Sequence, residues 1–161
     1  MRKTCGVYFL VLMLLFLGSV FLQATSARST EKVRLYLKDR ATGQLVAQRV
    51  VVPSTSDPRE KLFWILKELI SGPTGARYER IFSPDIDVQS IIIRKDTAYI
   101  SFGWNLVESL HQHPSLAVAA IVNSVLLNMR GLEEVKILIE GGEPVSSFGD
   151  VSLLKTFTSP L

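Results

Sequence analysis

Residues 6–22 form an apolar run without a single charge, and this run decides how much of the chain is left to fold. Arg2 and Lys3 precede it, and the small residues Ala24, Thr25, Ser26 and Ala27 follow it. A positive flank, a long apolar stretch and a small-residue exit are the marks of an export signal. The run through Ala24 also approaches the roughly 20 residues that cross a bilayer as a helix. Two readings stay open: cleavage near Ala27 releases the rest, or retention leaves a transmembrane anchor. In both, the positive flank stays inside and the remainder is exported to a periplasmic or other extracytoplasmic location. Residues 1–27 are therefore read as signal peptide or membrane anchor, 28–32 as a short linker, and 33–161 as one domain.

Charge and cysteine content narrow the function classes. Lys and Arg number 18 against 15 Asp and Glu, and without Arg2 and Lys3 the balance is 16 against 15. The basic residues Lys32, Arg34, Lys38, Arg40, Arg49, Arg59 and Lys61 are interspersed with acidic and apolar ones. A nucleic-acid partner needs a concentrated basic footprint, so none is expected. The only cysteine, Cys5, precedes the apolar run, which argues against a lipid-anchored cysteine. Residues 28–161 therefore hold no thiolate nucleophile, disulfide or Cys-ligated metal.

Periodicity supplies the elements. Val33, Leu35 and Leu37 alternate with polar residues, which predicts a half-buried strand over 32–38, returning as a second over 45–52. Asp57, Pro58 and Glu60 have the spacing of a capped helix start, with Glu60 in the capping-box position. Leu62, Phe63, Leu66, Leu69 and Ile70 form the expected apolar face, and Gly72-Pro73 ends the helix. A hairpin is expected from 87–93 and 97–102, and an irregular stretch over 103–114. A second helix is marked by Leu116, Ala119, Ala120, Val122, Asn123 and Leu126, and a last strand covers 134–140. The order β-β-α-β-β-α-β predicts a two-layer α+β domain, with two helices on one face of a mixed or mostly antiparallel sheet.

The chemistry-bearing residues do not assemble into a catalytic pattern, and no cofactor is expected. His111 and His113 are two apart without a third ligand, and read as surface histidines before a helix. The pairs Asp85/Asp87 and Glu133/Glu134 fall at strand starts, where solvated charges are ordinary. No serine lies in a nucleophile elbow, and Gly141-Gly142 lacks the Lys-Ser/Thr of a phosphate loop. Trp64 is expected to pack on the first helix, while Trp104 in Gly103-Trp104-Asn105 is the candidate stacking aromatic.

Several strings together resemble the GerMN domain of sporulation and spore-germination proteins and of bacterial envelope lipoproteins. They include Leu35-Tyr36-Leu37, Leu66 through Gly72-Pro73, Ser83-Pro84, Thr97 to Phe102, Ile121 to Leu126, Val135 to Gly141, and Phe148-Gly149-Asp150. The resemblance covers roughly residues 33–154. It implies a domain akin to the ring-building motifs of envelope-spanning assemblies, an accessory or assembly role, and no catalytic residues to carry over. The leading expectation is a non-enzymatic protein-interaction module whose partners are envelope proteins, itself included. Its candidate surface is the first helix with the following loop, Arg77 to Phe82, where Arg77, Tyr78 and Arg80 are the contact residues and Phe82 is turned into the core. The alternative is a binding module for a cell-wall glycan or other small envelope ligand, stacked on Trp104.

Overall fold

The computed structural model describes residues 29–144 and 147–158. The apolar run at 6–22 lies outside them; among the described residues no helix is long and apolar enough to cross a membrane.

Strands β1 (Thr30–Asp39) and β2 (Leu45–Pro53) form an antiparallel hairpin in register from Thr30↔Pro53 to Lys38↔Leu45. The pairing starts at Thr30, so β1 reaches into the stretch expected as a linker. Val33, Leu35 and Leu37 are buried, as their alternation requires. At the turn, the Asp39 carboxylate accepts from the amides of Ala41 at 3.0 Å and Thr42 at 3.2 Å. Gly43 closes it at φ 70°, where a side chain would be strained.

Helix α1 (Pro58–Ser71) starts on Asp57, whose carboxylate accepts from the Arg59 amide at 2.9 Å. Glu60 does not complete a capping box. Its carboxylate accepts from the Thr55 hydroxyl at 2.6 Å, and that hydroxyl also receives the Asp57 amide at 3.2 Å. The buried face is Leu62, Ile65, Leu66, Leu69 and Ile70. Phe63 is therefore off the expected face, 36% exposed, with its ring edge-on to Trp64 at 5.7 Å. Gly72 ends the helix at φ 80°.

A two-residue strand, β3 (Tyr78–Glu79), pairs with the end of β1. Then β4 (Val88–Arg94) and β5 (Thr97–Phe102) form the expected hairpin. The stretch expected to be irregular holds a further helix, α2 (Leu106–Gln112), followed by α3 (Pro114–Leu126). β6 (Glu134–Ile139) then lies parallel to β5, as a helical crossover allows.

The fold is thus α+β: among the described residues the strands form two three-stranded sheets, β2-β1-β3 and β4-β5-β6, with three helices. The cause of the division lies on β1. Beyond the short β3 its outer edge faces α3 instead of another strand. Asn128 accepts from the Arg34 amide at 2.9 Å and donates to the Arg34 carbonyl at 2.6 Å. Ser124 accepts from the Tyr36 amide at 3.0 Å. These two side chains satisfy an edge that a strand would otherwise fill. The rest of α3 is buried almost all round and packs on β1, β6, α1 and α2.

The described stretch after β6 packs as far as Phe157. Phe157 bridges to Val135, Leu153 is fully buried, and the Lys136 ammonium donates to the Leu154 carbonyl at 2.5 Å.

Candidate functional site

Trp104 stands where β5 hands over to α2, and its side chain is 66% exposed. Its position is fixed through its backbone. The Trp104 amide donates to one Glu140 carboxylate oxygen at 2.8 Å, and the Gln89 side-chain amide donates to the other at 2.9 Å. Buried Ser101 donates to the Gln89 side-chain oxygen at 3.2 Å and accepts from the Gly141 amide at 2.8 Å. Glu140 itself sits at φ 51°, a strained conformation for a residue with a side chain. The two donors on its carboxylate, Gln89 first and the Trp104 amide second, hold its pKa below the ordinary value. Strand end, loop and helix start are locked together, and the indole is left outside the lock.

Beside it lies a groove of about 440 Å³, lined chiefly by Val107, Ile139, Pro144 and Phe148, with His111 and Trp104. The Phe148 ring, itself buried, lies 5.3 Å from the His111 ring. Glu140 and Glu143 also border the groove. Glu140 is engaged as described, and Glu143 is paired with the buried ammonium of Lys136 at 2.8 Å. An apolar groove with an exposed tryptophan on its border fits an apolar side chain or the face of a ring. It offers few free polar groups to grip anything more hydrophilic.

The loop expected to carry the interaction surface is arranged differently. Arg77 donates to the Asp39 carboxylate at 2.9 Å and lies 5.4 Å over the Tyr78 ring. The Tyr78 hydroxyl meets the Gln48 side-chain oxygen at 2.7 Å. Arg80 is exposed and reaches the Ile70 carbonyl at 3.4 Å, its guanidinium lying against Gly72. Phe82 is buried at 2% exposure, as expected. Arg77 and Tyr78 therefore act first as braces between this loop and the hairpin. Trp104 borders the groove just described, whereas Tyr78 borders a second depression of about 310 Å³ against β2.

The remaining expectations resolve locally. His111 lies in α2, and His113 is the junction between α2 and α3. Asp85 accepts from the Asn105 side chain at 2.9 Å, and Glu134 accepts from the Thr97 hydroxyl at 3.2 Å. Among the described residues no group of three His, Cys, Asp or Glu side chains could hold a metal ion. The Ser101–Gln89–Glu140 bracket has no counterpart in the sequence reading. Glu140 before Gly141-Gly142 is its one visible trace, and its partners come from other strands.

The fold and this bracketed groove define a small α+β domain with a preformed apolar recess. A family model described as sporulation and spore germination (Germane) matches residues 34–145, and the chain belongs to that family. The structure resembles the first GerMN domain of the sporulation protein GerM from Bacillus subtilis, with a TM-score of 0.61 at 19% identity, over 81% of this chain and 93% of that one. It also resembles the tandem GerMN domains of the same protein, with a TM-score of 0.60 at 14% identity. There the match covers 86% of this chain but only 49% of the other, so this chain spans about half of the tandem. At these identities the likeness establishes the fold. No curated protein matches the sequence significantly.

Proposed function

We propose that this chain is a non-catalytic accessory module of the cell envelope, exported by residues 1–27, that assembles with domains of its own kind. The observation that carries the reading is Trp104, exposed on the border of a preformed apolar groove and fixed only through its backbone. Exposed tryptophans on rigid supports beside apolar pockets are the usual anchors of protein interfaces. A second copy is the occupant favoured here, because a relative carries two such domains in one chain while this match spans about half of it. The indole of one copy and the groove of the next would form the contact. Arg77 and Tyr78, held by Asp39 and Gln48, would brace their own loop and stay outside the contact.

The test is sedimentation equilibrium of the full chain in detergent, as wild type and as Trp104→Ala. Removal of an anchor worth about 2 kcal/mol weakens association roughly 30-fold. Loss of self-association with an unchanged melting temperature supports the reading. A wild type that stays monomeric, or an association indifferent to the substitution, overturns it. The wall-glycan reading rests on the same indole and is weaker, because both neighbouring carboxylates are already engaged. It would take over if soluble wall fragments quench tryptophan emission of a monomeric protein and Trp104→Phe abolishes the effect.

A further inference from the structure

One face of the β1–β2 hairpin carries cations that the fold leaves unneutralised. Lys32 and Arg34 alternate outward with the buried Val33 and Leu35. In the register of the hairpin, Arg34 stands directly opposite Arg49, and Lys32 opposite Val51. Like charges facing each other across an antiparallel pair repel, so the hairpin carries this pair at a cost to its own stability. Arg130, just past α3, borders the same shallow depression of about 280 Å³, with Leu127 and Asn128 beside it. Asn128 is bonded to the backbone of Arg34 and leaves the guanidinium alone. Lys61, also at this depression, is paired with Glu31 at 2.6 Å, and Asp57 is paired with Arg59. Lys32, Arg34, Arg49 and Arg130 join none of the ion pairs among the described residues.

Two further features point to the kind of partner. All four cations are exposed, which suits a broad anionic surface better than a single enclosed anion. Between and beside them stand exposed apolar side chains, Val51 at 57% and Leu127 at 36%. Basic heads interleaved with apolar tips are the composition of a surface that rests at the headgroup level of a bilayer. The position along the chain agrees. The apolar run ends at Leu22 and β1 begins at Thr30, so the chain between them reaches at most about 28 Å. A retained anchor would keep this end of the hairpin near the membrane it came through.

We infer that Lys32, Arg34, Arg49 and Arg130, with Val51 and Leu127, dock the domain on the anionic phospholipid headgroups of that membrane. This inference rests on residues 1–27 being kept as an anchor and is independent of the Trp104 groove. Docking would set the domain's orientation, with the β1–β2 face toward the lipid.

The test uses the full chain in nanodiscs of phosphatidylcholine, with and without phosphatidylglycerol. Cys5→Ser and Val51→Cys allow a polarity-sensitive fluorophore to be placed at position 51. The expected result is a blue shift of the label in the anionic discs that disappears near about 1 M salt, where the Debye length is about 3 Å. Each cation removed shifts the docked-to-free ratio roughly fivefold. Arg34→Glu removes one and adds an anion, so the ratio falls roughly 30-fold. The same substitution gives Arg49 an opposite charge across the hairpin, so the melting temperature should hold or rise. Loss of docking in a protein that folds at least as well thus separates binding from stability. Equal emission in both kinds of disc, or a lipid response unaffected by Arg34→Glu, overturns the inference. An equal shift produced in neutral discs by a soluble glycerol-phosphate polymer also overturns it, and assigns the surface to a wall polyanion instead.

Discussion

Two loops of this domain are each held by one carboxylate, and they come out with opposite surfaces. Asp39 takes the guanidinium of Arg77 and the amides of Ala41 and Thr42. Glu140 takes the side-chain amide of Gln89 and the backbone amide of Trp104. In the first loop the clamp grips a side chain, and the neighbouring Tyr78 is tied to Gln48 as well. In the second the clamp grips the main chain and leaves the indole 66% exposed. A hydrogen bond to a side chain uses up the group that could have met a partner. A bond to the backbone fixes the residue and keeps its side chain available. The two loops therefore differ in which one keeps its aromatic side chain available, a difference that the strings Arg77-Tyr78 and Gly103-Trp104-Asn105 do not show.

The largest effect expected is on the floor of the groove. Phe148 is buried and faces His111, so Phe148→Ala should cost about 3 to 5 kcal/mol, read by chemical denaturation. A cost under about 1 kcal/mol would mean that the floor is loosely packed and the groove not preformed. Next comes the contrast in binding. Trp104→Ala should weaken self-association roughly 30-fold, while Arg80→Ala should change it by less than about threefold. Equal losses in the two variants would erase the distinction between the loops and restore Arg80 to the interface.

How much of this could be read beforehand depends on how far apart the partners lie. The hairpin of β1 and β2 and both ends of α1 were legible, because alternation, Asp57-Pro58 and Gly72 act over a few residues. Helical spacing alone places Phe63 on the buried face and misses Ile65, because it cannot say where a stripe is centred. The division into two sheets was not legible. It depends on Asn128 meeting Arg34, 94 positions away, and a polar residue just past a helix carries no sign of that. Of the candidate site, Trp104 was visible as a loop aromatic. Its Glu140 clamp, 36 positions on, was not. The stretch read as a loop carrying Arg77, Tyr78 and Arg80 holds the two-residue strand β3 at Tyr78–Glu79. The partners of Arg77 and Tyr78, Asp39 and Gln48, lie 38 and 30 positions away, beyond the reach of local sequence patterns.

A smaller effect probes the clamped loop alone. Tyr78→Phe removes the contact with Gln48 and should cost about 1 kcal/mol, seen as a lowered denaturation midpoint. Association should be untouched, since the ring remains over Arg77's side of the loop. Weaker association at unchanged stability would show that the hydroxyl meets a partner instead of bracing the fold.

The finest distinction between the clamps is electrostatic. Asp39 is held below its ordinary pKa by the Arg77 hydrogen bond first, then by the Thr42 amide. Glu140 is lowered by Gln89 first and by the Trp104 amide second, all neutral donors. Each folded-state pKa lies under its unfolded value, so each contributes stability that is present above about pH 4 to 4.5 and is lost as pH falls through the folded value. The melting temperature should therefore drop on acidification below that range. Asp39→Asn and Glu140→Gln should each flatten the drop, while lowering the melting temperature near neutrality. Salt separates the two. Screening weakens a charge pair but hardly touches a carboxylate bonded to neutral amides. The penalty of Asp39→Asn at neutral pH should shrink as salt is raised, and that of Glu140→Gln should stay constant. If both penalties shrink together, the Trp104 loop is also held by net charge, and the difference between the clamps lies only in what each one grips.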